Sequence, residues 1–65
     1  PDLLRDAERL ALELLEREPH SEFGLLYYAR ICRDAGRHGE ARRIYDDLLR
    51  LFPANVAAAE ERRAL

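Results

Sequence analysis

The chain has 65 residues and a net charge of −2, with 48% hydrophobic and 37% charged residues, a balance that fits a soluble helical domain and excludes a disordered tail. Charges of both signs are mixed along every segment, which leaves no basic field for nucleic acid, and no apolar run nears the ~18 residues that a membrane span needs. At this size only about 60% of the unfolded surface can be buried, so a free-standing core is marginal.

Leu3, Leu4, Ala7, Leu10, Ala11, Leu14 and Leu15 are spaced along one face of a first helix. Asp2 is placed to cap it, and Pro19 ends it by holding Glu18 in extended geometry. Ser21 caps a second helix predicted from Glu22 to Ala35, and Gly36 takes the left-handed position that follows a helix end. Gly24, near the start of that helix, either lets a neighbouring backbone approach closely or is tolerated in a frayed first turn. The turn Gly36-Arg37-His38-Gly39 leads into a third helix carrying Ala41, Ile44, Tyr45, Leu48, Leu49 and Phe52. Pro53 ends it, Asn55 is the next cap, and Val56 to Leu65 is predicted to form a fourth helix. Short connections make neighbouring helices antiparallel, so the expected fold is an all-α, antiparallel helix-turn-helix array of four helices.

The chain also nearly repeats itself. Ala7, Arg9, Leu14, Leu15 and Pro19 return 34 residues later as Ala41, Arg43, Leu48, Leu49 and Pro53, with Leu10 returning as Ile44 and Ser21 as Asn55. A repeat of that length closed by Pro is the period of a helical solenoid. Leu25, Tyr28, Ala29 and Cys32 on one helix, with Ala41, Tyr45, Leu48 and Pro53 on the next, give a pattern that resembles the tetratricopeptide repeat. The pattern departs from that family where Leu25 stands for the usual Trp, Ala29 for Gly, Cys32 for Tyr, and Leu48 for a small residue. The Ala-to-Pro interval sets the chain apart from pentatricopeptide repeats. Half-a-tetratricopeptide segments of RNA-processing scaffolds are a lesser resemblance, carried by Tyr28-Ala29 and Ala41-Arg42-Arg43-Ile44-Tyr45. The resemblance implies one domain: residues 2–18 as the second helix of a preceding repeat, 22–55 as a complete repeat, and 56–65 as the first helix of a following one.

The start at Pro1 and the absence of Met suggest a cut end, and no signal-peptide pattern opens the chain. The lone Cys32 has no disulfide partner and lacks company for zinc, which points to a reducing, cytoplasmic setting. All eleven basic residues are Arg, a helix-favouring choice and one that a GC-rich, bacterial-like genome produces.

Little here promises chemistry. His20 and His38 fall in predicted turns without a second ligand at metal spacing. Cys32 fits a small buried hydrophobe, although Arg33 is the cation that would activate it. Asp46-Asp47 and Glu60-Glu61 are adjacent on helices and diverge by about 100°, so they cannot act as a carboxylate pair. Glu13–Arg17 and Asp46–Arg50 have the spacing of helix-surface ion pairs. No cofactor, metal or catalytic residue is expected, and the chain is not expected to be an enzyme.

The resemblance implies instead a concave groove lined by first helices, holding a peptide or helix of a partner protein. Phe23, Leu26 and Tyr27 would form its apolar floor, and Arg30 and Arg33 would take a partner's carboxylate. Asp34, Ala57, Glu60 and Ala64 would border it. Leu26, Arg30 and Glu60 occupy the positions at which co-chaperones of the family clamp a C-terminal carboxylate, so that clamp is absent. An alternative is self-association through open repeat ends. Leu12, outside the main stripe, would then mark the edge together with Leu4 and Leu15, and Val56, Ala59 and Leu65 the opposite edge. No nucleic-acid or membrane partner is expected.

Overall fold

The computed structural model describes residues 3–65, and the expected cap Asp2 lies outside them. Among the described residues the elements are four helices, α1 (Leu3–Arg17), α2 (Glu22–Asp34), α3 (His38–Leu51) and α4 (Val56–Arg63). Each packs antiparallel on the next.

Two of the starts follow from side-chain capping. Ser21 Oγ accepts the Gly24 N–H at 3.0 Å and Asn55 Oδ1 accepts the Ala58 N–H at 2.9 Å, which satisfies donors that a first turn leaves unpaired. The repeat thus places the same cap on α2 and α4. The expected ends shift by one or two residues. Ala35 caps α2 instead of closing it, Phe52 follows α3, and α4 stops at Arg63. His38 and Gly39, read as turn residues, belong to the first turn of α3. The left-handed position does fall on Gly36, with φ at 82°. That conformation lets the Gly36 N–H reach Arg33 O at 3.0 Å and the Arg37 N–H reach Cys32 O at 2.9 Å.

The core lies among α2, α3 and α4. Ala29, Cys32, Ala41, Ile44, Tyr45, Leu48 and Ala58 are buried, with Leu25, Leu26, Tyr28, Leu49, Phe52 and Leu65 packed around them. Each large side chain there contributes roughly 1.5–3 kcal/mol by leaving water. Gly24 is buried and faces the end of α1. A Cβ there would stand 3.1 Å from Leu14 Cδ2, Leu15 Cδ2 and Ser21 Oγ, so side chains of α1, and not a neighbouring backbone, fill the space.

The first helix is less covered than its repeat partner. Ala11 is its one buried residue, whereas α3 buries Ala41, Ile44, Tyr45 and Leu48. Leu10 is 57% exposed although its equivalent Ile44 is buried, and Leu3 is 78% exposed. Ile44 sits in the cluster formed with α2 and α4, whereas Leu10 belongs to no buried cluster among the described residues.

The expected Asp46–Arg50 pair does not form. Arg50 reaches Asp47 at 2.7 Å, and Asp46 receives Arg62 of α4 at 2.9 Å, a cross-helix contact that offers more than a turn along one helix. Arg37 meets Glu8 at 2.8 Å and ties α1 to the turn before α3.

Candidate functional site

The face shared by α2 and α4 carries the residues singled out for the groove, and it divides into two parts. Toward the start of α2, Phe23 and Tyr27 lie one turn apart and stack, with ring centroids 5.9 Å apart and planes inclined by 12°. Both rings meet solvent, Phe23 at 70% exposure and Tyr27 at 38%. Leu26 is not part of this ledge, because it packs against the core cluster. Asn55 Nδ2 donates to Glu22 Oε2 at 2.9 Å and holds the starts of α2 and α4 together.

Further along α2 the face becomes ionic. Arg30 donates through Nε to Glu61 Oε1 at 2.9 Å and through Nη2 to Oε2 at 2.6 Å, a two-pronged contact between a guanidinium and a carboxylate. Arg33 Nη1 reaches Glu61 Oε1 at 3.3 Å while its Nε bonds Asp34 at 3.0 Å. From α3, the Tyr45 hydroxyl donates to the same Glu61 oxygen at 2.8 Å. One carboxylate of α4 therefore gathers donors from α2 and α3.

The environment shifts the groups as this geometry requires. The Arg30 hydrogen bonds hold the Glu61 carboxyl below the usual carboxylate range, with Tyr45 adding to the effect. Burial, and then the bond to Glu61, push the Tyr45 phenol up to about 12. The cluster is thus an ionised carboxylate held by two cations and a neutral phenol, with no group poised to exchange a proton near neutrality.

In the structure both arginines, read from the sequence as facing a partner's carboxylate, meet a carboxylate of the chain itself. Glu61 and Tyr45 were not singled out for the groove. Their signal lay in the repeat, where Tyr27 returns as Glu61 and Arg30 as Ala64. An acid on α4 and the small residue that caps its end stand where α2 has an aromatic and a base.

The remaining candidates separate by environment. Cys32 is fully buried, burial raises its thiol, and the cation near its sulfur is Arg37 Nη2 at 3.9 Å, not Arg33. His20 and His38 are exposed, and among the described residues no group of three or more His, Cys, Asp or Glu is placed to hold a metal. No described helix is long and apolar enough to cross a membrane. Leu12 lines a shallow depression along α1 with Arg5, Glu8, Arg9, Glu13 and Glu16, whereas Leu4 and Leu15 are half-buried.

A family model for the tetratricopeptide repeat matches residues 22–64. No curated protein and no solved structure matches the chain.

Proposed function

We propose, because the chain belongs to the tetratricopeptide repeat family, whose members are in general non-catalytic protein-interaction modules, that its concave face binds an extended segment or helix of a partner protein. The observation that carries this reading is the stacked pair Phe23 and Tyr27, exposed on that face. Aromatic rings are large, stiff anchors that lose little conformational entropy on binding, which is why they dominate interface energetics. Two of them held in register by one helical turn form a preorganised ledge for an apolar side chain.

The test is selection from a displayed library of short unstructured peptides, with Phe23→Ser/Tyr27→Ser as the counter-selection. The reading expects enriched peptides that share an apolar or aromatic residue and lose at least tenfold in affinity for the double variant. Peptides that bind the variant equally would refute it.

A second reading, self-association, is favoured by the exposure of Leu3 and Leu10 on α1. Leu10 corresponds to the buried Ile44 of α3, so a second copy would bury apolar surface there. The RNA-scaffold alternative gains nothing from the surface charge: Arg9, Arg30, Arg33, Arg37, Arg50 and Arg62 all pair with carboxylates, the opposite of an array that tracks phosphates.

A further inference from the structure

We infer that Glu61 is a built-in competitor that bars acidic partner segments from Arg30 and Arg33, so that the concave face selects a segment with no carboxylate at that point. This rests on the reading of that face as the binding surface and names the chemistry of the partner it takes.

Three observations carry it. The donors converge on Glu61 as they would on a bound ligand: a two-pronged Arg30, a second guanidinium from Arg33, and the Tyr45 hydroxyl. The occupant is tethered, and a carboxylate fixed on the adjoining helix competes at an effective concentration that a free acidic side chain does not match. Both guanidiniums already face carboxylates, because Arg33 Nε also bonds Asp34 at 3.0 Å. What stays open is the uncharged ledge of Phe23 and Tyr27, and a segment that seats an apolar side chain there passes the arginines without displacing anything.

The probe is an amidated, acetylated tetraglutamate peptide, with tetraglutamine as the neutral control, read through the Nε–Hε NMR signals of Arg30 and Arg33 at low ionic strength. In the wild type these signals are expected to show no saturable shift at millimolar peptide. In Glu61→Ala, which vacates the site, they should shift saturably with at least tenfold higher apparent affinity. Glu61→Gln keeps the volume and one acceptor but removes the charge, and should fall between the two. Saturable binding in the wild type as tight as in the variants would overturn the inference, and so would silence at both arginines in folded variants. Should Glu61→Ala unfold, the comparison of Glu61→Gln with the wild type decides alone: a gain supports the inference and no gain overturns it. These signals report on the arginines and do not depend on Phe23 or Tyr27. A failure here leaves the aromatic ledge standing, and a failure of the ledge in peptide selection leaves this result standing.

Discussion

Replacing Tyr45 by Phe removes a single oxygen atom from the joint between α3 and α4, and its consequence follows from the geometry. The hydroxyl donates to Glu61 at 2.8 Å, and a hydrogen bond to a charged group contributes about 1.5–3 kcal/mol. The ring stays, so no cavity forms. Glu61 keeps Arg30 and Arg33, and its side chain is 20% exposed, so water and the guanidiniums compensate part of the loss. The expected cost is therefore near the lower limit, about 1–1.5 kcal/mol. With an unfolding entropy of about 2.1 cal/mol/K per residue, that lowers the melting temperature of a domain of this size by roughly 7–11 °C. The assay is thermal unfolding by circular dichroism on Tyr45→Phe, Glu61→Gln and the double variant. Because the two groups touch, the double variant should lose less than the sum of the singles, by about 0.5 kcal/mol or more. A drop under 2 °C for Tyr45→Phe, or strict additivity, would refute the view that Glu61 fastens α4 through Tyr45. The pH dependence has a defined sign. The lowered Glu61 value means that its stabilisation is complete above the ordinary carboxylate range and is lost as pH falls through the lowered folded value. Tyr45 acts in the opposite sense: its contribution is complete below its ordinary value of 10.0 and is lost as pH rises toward about 12.

Gly36→Ala should destabilise by roughly 1–2 kcal/mol, because a Cβ is forced into a left-handed backbone with φ at 82°; Gly39→Ala, with open space around it in the first turn of α3, should gain up to about 1 kcal/mol. Both are read by urea denaturation, and equal effects would refute the assignment of the turn. Iodoacetamide should leave Cys32 unmodified in the folded protein and label it in step with urea unfolding, since the thiol is buried and its ionisation is suppressed. Labelling at the rate of a free thiol would mean that the core opens locally. In sedimentation equilibrium, any dimer should dissociate in Leu10→Glu more completely than in Leu12→Glu, because Leu10 is the more exposed and Leu12 already lies among charges. A dimer sensitive only to Leu12→Glu would move the edge to the other side of α1.

The fold was legible because its signals are local. Ser21, Asn55, Pro19, Pro53 and Gly36 mark boundaries through backbone geometry, and the structure follows them to within a residue or two. The interior was legible as far as it obeyed helical periodicity, as with Ala41, Ile44, Tyr45 and Leu48. Periodicity cannot tell which apolar residues have a neighbour to cover them, so Leu3 and Leu10 read like core and are exposed. The site was half legible. Helical phase alone brings Phe23 and Tyr27 together, whereas the partner of Arg30 lies 31 residues away on another helix. Nothing in the spacing of Glu60 and Glu61 says which of the two points at the arginines. The same limit explains Asp46, whose nearest candidate along the helix lost to Arg62 from α4.

Several of the places where the repeat fails to repeat lie on its two first helices, α2 and α4. Shifted by 34 residues, Leu26 becomes Glu60, Tyr27 becomes Glu61, Tyr28 becomes Arg62 and Arg30 becomes Ala64. Position 61 faces Arg30, so a strict repeat would set a Tyr, in place of Glu61, against that guanidinium. The actual exchange sets an acid against the bases of α2, and gives α4 a base that reaches Asp46 on α3. These contacts hold α4, a helix of eight residues that buries only Ala58 in the core. Polar contacts of this kind are directional, so they fix the seating of α4 more tightly than its small apolar face does. They also pair Arg30 and Arg33 with Glu61, while Phe23 and Tyr27 on α2 remain exposed. On the proposed binding reading, the residues that seat α4 against its neighbours also decide what else fits the face.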